Sequence, residues 1–347
     1  MFVTDRGRSA SHVHLEILRK RAELDGREKR ELERYRSGYG GELEYDRVFD
    51  EVGHEQMYVF RDIWLGIGDS KVQLDALIVA DNLLIVNEIK NYSGNYSYEN
   101  GIWKVRNQQI SEDPVSQVST AANKLLRLRY ESGVQFEVQK EIVFVNPYMI
   151  FGPTDYRHAD LFVMRNRLKQ YFRSFHNNTF GRPAKVLAEE VARRIISPPH
   201  PAPSSDISRL KLGMNCYRCQ SFDVSKKRFC SECRDCGYTE PFERLVVRSA
   251  IEFSVLFPEE KVTCRGIHEF LGKSLNYQTV QRRLSTYFVK KGDASQSHYI
   301  VTGYDLKKIL VEANYDSAYE QDIEYMSEKR RNTFRKYLFM SDDSNSV

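Results

Sequence analysis

The sequence predicts an α/β fold over residues 38–196, on three observations. Residues 74–90, LDALIVADNLLIVNEIK, hold two runs rich in Val, Ile and Leu joined at Asp81-Asn82, and read as a β-hairpin. YSYENGIWKV (96–105) carries an Asn-Gly turn, a second hairpin signal. Helical patterns flank these strands: ELEYDRVFDEV (42–52), and DPVSQVSTAANKLLRLRYES (113–132), which opens at Asp113 with proline at the first helical position. EVQKEIVFVNP (137–147) reads as a further strand, and VMRNRLKQYF (163–172) and PAKVLAEEVARRII (183–196) as helices. Helix, strands, helix and strand in that order make one α/β domain.

The rest of the chain divides around it. Residues 1–37 read as a charged N-terminal helix, with Lys, Arg and Glu around sparse Leu, broken at Gly38–Gly41. Residues 197–212 read as a linker, because SPPHPAPSSD (197–206) holds four of the ten prolines. A cysteine-rich segment (213–240) and a helical segment (241–340) follow, then a tail (341–347) expected to be disordered. A total of 347 residues with 41% hydrophobic content excludes wholesale disorder and permits two or three domains. The net charge of +4, from 52 Lys and Arg against 48 Asp and Glu, is too mild to imply nucleic-acid binding, which must be argued locally. The N-terminus lacks an apolar signal region, and no apolar run approaches membrane-spanning length. That predicts a cytoplasmic protein rather than a secreted or membrane one.

Charged residues inside the first hairpin raise a chemical question. A two-residue loop at Asp81-Asn82 makes opposed positions sum to 163, so Asp75 faces Glu88 and Gln73 faces Lys90. Alternation then puts all four on one face. Opposed Cβ atoms lie about 4.5–5.5 Å apart, where like charges repel, so a divalent cation or a shared proton must offset the pair. Two carboxylates can hold a hard cation that lowers the pKa of bound water, and Lys90 can orient that water or meet a phosphate.

GYGGE (38–42), QLDALIV (73–79), NEIKNYSGNY (87–96) and DPVSQ (113–117) resemble, in order, the motifs of the nuclease-related domain (NERD) family, part of the PD-(D/E)XK nuclease-like superfamily. The resemblance covers roughly residues 38–150. It implies a nuclease-like core, a central mixed sheet flanked by helices. It makes Asp75 and Glu88 ligands of Mg2+ (or Mn2+) and Lys90 the catalytic lysine. Glu42, Gln73 and Gln117 take the remaining motif positions. Asp113 departs from the usual Asn-Pro start of the last motif but can still cap a helix. Glu44 competes with Glu42, and two residues apart on a helix they face different ways.

Five of six cysteines fall within residues 216–236. Cys216-x2-Cys219 and Cys233-x2-Cys236-Gly237 have the spacing of a tetrathiolate site for structural Zn2+, and resemble a zinc ribbon. Cys230 offers a competing pair with Cys233 but lacks the trailing glycine. Lys226, Lys227 and Arg228 form a basic loop between the pairs, which either touches phosphate or is simply solvated. Cys264 reads as a core residue.

FERLVVRSAIEFSVLFPE (242–259) reads as an amphipathic helix. The order that follows, short strand, helix, turn, helix, turn and strand, resembles a winged helix. Val280, Leu284 and Phe288 would face the core, leaving Gln278, Thr279, Arg282 and Arg283 outward, with Lys290 and Lys291 on the wing. Between Val262 and Val301 six Lys and Arg stand against two Asp and Glu. These observations predict a Mg2+-dependent endodeoxyribonuclease with appended DNA-binding modules. The alternatives are a non-catalytic DNA-binding or regulatory protein on a relict nuclease fold, and a protein adaptor.

Overall fold

A computed structural model describes residues 1–106, 108–154, 160–177, 181–293 and 296–301. The chain opens with α1 (Ala10–Leu18) and α2 (Gly26–Val52), then β1 (Tyr58–Ile67), β2 (Ser70–Ala80) and β3 (Leu83–Lys90). Strands β4 (Gly94–Glu99), β5 (Ile102–Val105) and β6 (Gln108–Gln109) precede α3 (Pro114–Ser132). After it come β7 (Glu137–Phe144), β8 (Met149–Thr154), β9 (Phe162–Val163), α4 (Leu168–Ser174), α5 (Arg182–Ala192) and β10 (Ile195–Ile196). The second half holds β11 (Val224–Lys226), β12 (Cys230–Cys233), β13 (Thr239–Pro241) and α6 (Phe242–Leu256). It ends with α7 (Cys264–Phe270), α8 (Tyr277–Tyr287), β14 (Val289–Lys291) and β15 (His298–Ile300). The expected module beyond residue 301, and the tail 341–347, lie outside the described residues.

Two compact units form, and the chain passes between them more than once. Residues 1–9 and 29–201 make the first; residues 10–28 and the chain from 202 onward make the second.

The first unit is a mixed sheet in the order β10-β1-β2-β3-β7-β9. Strands β1, β2 and β3 run antiparallel, while β3, β7 and β9 run parallel. Val118 and Leu125 of α3 and Leu187 of α5 pack with Leu77, Val79 and Leu84 from one face. Tyr45 and Phe49 of α2 and Phe172 of α4 pack with Ile78, Ile85 and Ile89 from the other. This is the central mixed sheet flanked by helices that the sequence predicts. A smaller sheet, β6-β5-β4-β8, joins the first of these cores through Tyr98, Trp103 and Phe151. Its β4–β5 turn is the Asn-Gly pair, both residues at positive φ as the mirror-image turns of hairpins require.

Three local expectations give way. Helix α2 runs unbroken through Gly38–Gly41. Of those glycines Gly41 is the one that packing demands, because a Cβ there would lie 2.5 Å from the Cβ of Asn91. The residues before it are not one charged helix either: α1 and α2 are separate, Leu15, Ile17 and Leu18 of α1 are buried, and α1 packs on α6. The helical pattern over 183–196 stops at Ala192, and Ile195–Ile196 becomes the edge strand paired with Trp64 and Leu65.

In the second unit, β11, β12 and β13 form an antiparallel sheet that carries the cysteines. Helix α6 is not amphipathic in place, since every residue from Phe242 to Phe253 is buried. Its charges are paired internally. Glu252 accepts from Arg21 at 3.0 Å and from Arg248 at 2.9 Å, and Arg248 also meets Glu240 at 2.8 Å. Strands β14 and β15 pair as a hairpin, and Tyr299 adds a bridge to Val262.

Candidate functional site

The β2–β3 register is the one read from the sequence: Ala80 opposes Leu83, and the ladder continues through Ala76 and Asn87. The next pair is Asp75 and Glu88. Here the ladder is replaced by a side-chain bond, in which the Ile89 backbone N–H donates to Asp75 Oδ2 at 2.9 Å. The strands also change phase. Leu74 and Leu77, three residues apart, enter the same core, as do Phe60 and Ile63 on either side of Asp62 in β1. Asp62 takes φ +45°, a conformation uncommon for a side chain-bearing residue.

This irregularity turns the Asp75 carboxylate toward acidic neighbours. Burial, then Glu88 and Glu42, push its pKa well above the usual carboxylate range. Lys90 is held between Glu88, at 2.9 Å, and Glu112, at 2.5 Å. Burial alone would lower its pKa, but the two glutamates outweigh burial and raise it. Glu42 comes from α2, and burial raises its pKa too. Its Oε2 accepts from Arg6 at 2.9 Å. Arg6 also grips Asp46 with two N–H groups, at 2.8 and 3.0 Å, and donates to the Asp75 main-chain oxygen at 3.1 Å.

Asp75, Glu88, Lys90 and Glu42 therefore converge. Glu44 faces elsewhere, toward Arg47 and Arg165. Two predicted members do not share the arrangement. Gln73 is exposed and donates to Asp62 Oδ1 at 3.1 Å rather than sharing a face with Lys90, because the phase change breaks the alternation that would place it there. Gln117 is exposed on the first turn of α3. Asp113 caps that helix, its Oδ1 accepting from the N–H groups of Val115 and Ser116. Sequence reasoning missed Arg6, Asp46 and Glu112. Glu112 borders the Asp113-Pro114 helix start, which is a usable signal; Arg6 has none, since its partners are distant in sequence.

The four cysteines meet. Sγ atoms of Cys216, Cys219, Cys233 and Cys236 all lie within 4.8 Å of one another. Two of these separations, Cys216–Cys236 and Cys219–Cys233, are 3.5 Å. A tetrahedral metal with bonds of about 2.3 Å sets its sulfurs nearly that far apart, so the donor set fits Zn2+. Each pair ends in a left-handed residue, Gln220 (φ +64°) and Gly237 (φ +70°), whose N–H returns to the carbonyl of the first cysteine. The Tyr238 backbone lowers the Cys236 pKa to about 7, toward the thiolate a metal needs. Cys230 lies in β12 opposite Pro241 and outside the group, which selects the Cys233–Cys236 pair. Among the described residues this is the one set of three or more such donors that converges so tightly. The acidic site offers fewer close oxygens, which suits a cation that keeps several waters.

Val280 and Leu284 of α8 and Phe288, the residue that follows it, are buried as predicted, and Arg282 and Gln278 are exposed. Arg283 is not outward. It turns to Glu243 at the start of α6, at 2.9 Å. Thr279 is half-buried, and Lys290 and Lys291 are exposed on β14. No helix among the described residues is long and apolar enough to cross a membrane.

Residues 37–151 match the family model for NERD, the nuclease-related domain. No curated protein and no solved structure matches the chain.

Proposed function

We propose, for a chain whose residues 37–151 are a nuclease-related domain, a metal-dependent endonuclease acting on DNA, with Mg2+ or Mn2+ at Asp75 and Glu88. One observation carries this reading: a half-buried carboxylate, Asp75, is crowded by Glu88 and Glu42, with Lys90 alongside. Such crowding is costly unless a cation or a proton offsets it, and a nuclease uses the cation.

A divalent ion bound there supplies an acidified water and neutralises charge on the scissile phosphate. The chain does the rest. Asp75 and Glu88 present hard oxygen donors, with Asp75 fixed in direction by the Ile89 N–H. Lys90, steered by Glu88 and Glu112, has a third N–H to aim at water or a phosphate oxygen. Glu42 adds a carboxylate whose orientation Arg6 sets. Gln117, exposed on the first turn of α3, is assigned a role in reaching substrate rather than in holding the cation.

The cysteine group is assigned structural Zn2+, because four thiolates leave no open position for chemistry. The sheet that carries it is compatible with a zinc ribbon. Helices α7 and α8 followed by the β14–β15 hairpin have the order of a winged helix. Gln278, Thr279, Arg282, Lys290 and Lys291 are its proposed DNA contacts. A cytoplasmic setting is part of the same proposal.

One observation favours a second reading, a relict nuclease fold that binds nucleic acid without cutting it. Glu88, needed as a ligand, already pairs with Lys90. Incubating the protein with supercoiled plasmid and Mg2+ or Mn2+ decides between them. Cleavage that Asp75→Asn abolishes, and that Lys90→Ala slows by about 10²–10³, supports the enzyme. A wild-type protein that cuts neither single- nor double-stranded DNA or RNA with either metal sinks it.

A further inference from the structure

The tip of the β11–β12 hairpin carries Lys226, Lys227, Arg228 and Phe229, all exposed. Phe229 is a large apolar side chain with 43% of its surface in water. The Arg228 guanidinium lies over its ring, 5.0 Å from the centroid. Lys227 is engaged locally by Glu232 at 2.7 Å. An aromatic ring left with this much surface in water among cations favours a ligand with both a flat apolar face and negative charge.

The tip is also fixed relative to α8. The Phe242 N–H, at the first residue of α6, donates to the Phe229 carbonyl at 3.2 Å. The next residue, Glu243, holds Arg283 of α8 at 2.9 Å. The hairpin tip and the middle of α8 thus rest on the first two residues of one buried helix. Arg282, next to Arg283 in sequence, is exposed and adds a cation on α8.

We infer that Lys226, Arg228, Phe229 and Arg282 form one binding face for single-stranded nucleic acid. Phe229 stacks on an unpaired base, and the cations hold the flanking phosphates. Stacking on an aromatic side chain needs a base whose face is open, which a closed duplex does not offer away from its ends. Arg283 is a structural clip for this face and not one of its phosphate contacts. The inference rests on the nucleic-acid reading above and adds its strand form and residues.

The test is fluorescence anisotropy of the full-length, zinc-loaded protein with a labelled oligonucleotide, single-stranded or as a duplex, across a salt series. Phe229→Ala should weaken single-strand binding on the order of tenfold while changing duplex binding little. Phe229→Trp should keep or tighten it. The double variant Lys226→Ala, Arg228→Ala should flatten the slope of log affinity against log salt by about 1.4, roughly 0.7 for each phosphate no longer neutralised. Wild-type protein that binds no single strand, or variants with unchanged affinity and slope, would overturn the proposal. So would a Phe229→Ala variant that loses duplex and single-strand binding equally, because the ring then supports the fold or the backbone contact instead. Binding is read without added Mg2+ and cleavage in a separate assay with it, so failure of this face and failure of the nuclease reading are distinguishable.

Discussion

One terminal nitrogen of Arg6, Nη1, donates both to Glu42 Oε2 and to the backbone oxygen of Asp75, at 2.9 and 3.1 Å. The guanidinium therefore ties the helix that brings Glu42 to the strand that brings Asp75. It lies outside the matched residues 37–151. Arg6→Gln leaves the buried Asp46 carboxylate with Arg61 alone, at 3.2 Å, and should cost about 1.5–3 kcal/mol of stability in chemical denaturation. Cleavage should fall about tenfold or more as Glu42 loses its anchor. In a Glu42→Ala background the rate loss from Arg6→Gln should largely vanish, since interacting sites are not additive.

Asp75→Asn separates charge from geometry. Asparagine still accepts from the Ile89 N–H but brings no negative charge to Glu88 and Glu42. Without added metal the variant should melt higher than wild type at neutral pH. With Mg2+ at about 100 times its dissociation constant, wild type should gain about 2.7 kcal/mol and the variant almost nothing. A variant stabilised by Mg2+ as much as wild type would place the cation elsewhere.

Purified protein should contain about one Zn2+ per chain by elemental analysis. Cys236→Ser should lose it and Cys230→Ser should keep it, because the Cys230 sulfur stands outside the converging group. Retention by Cys236→Ser with loss in Cys230→Ser would reverse the pairing.

Arg282 and Arg283 are neighbours with different work. Arg283→Ala removes the partner of Glu243 and should destabilise the second unit by roughly 2 kcal/mol. Arg282→Ala should leave stability within about 0.5 kcal/mol, and weaken nucleic-acid binding in a salt-dependent way. Equal effects of the two on both measurements would contradict the orientations described.

Glu252 makes the second unit sensitive to acid. Burial would raise its pKa, but Arg248, Arg21 and Lys20 outweigh burial and hold it at about 2. A carboxyl depressed on folding binds its proton more readily in the unfolded chain. Its contribution is therefore present above pH 4.5 and is lost as pH falls from there toward 2. The loss is about 3 kcal/mol, and it should appear as a falling denaturation midpoint over that range. Glu252→Gln should flatten this dependence and lower stability at neutral pH.

What the sequence disclosed, and what it hid, follows from the range of each interaction. The β2–β3 register was legible because Asp81-Asn82 and the branched runs beside it are local signals. The four converging cysteines were legible because each pair is a turn, closed within four residues. Strict alternation misplaces Gln73. The break comes from the positive φ of Asp62 on another strand, and aspartate by itself does not announce such a conformation. Arg6 could not be found because its carboxylate partners lie 36 and 40 residues away. Arg248 and Glu252, four apart on a helix, look in sequence like an ordinary solvated pair. Their burial is set by α1 and the cysteine-bearing sheet, which no local pattern reports.

Arg21 and Glu252 are separated by 231 positions. During translation α1 leaves the ribosome early, yet α6, on which it packs, is synthesised only after the whole first unit. At about 5–20 residues per second, Leu15, Ile17, Leu18 and Arg21 wait on the order of 10–50 s without their partner. The first unit can close around its own sheet in that time, while the early helix stays an apolar segment open to chaperones. Shortening that delay, by moving residues 10–28 to a later position in a rearranged gene, should raise the yield of folded second unit more than that of the first.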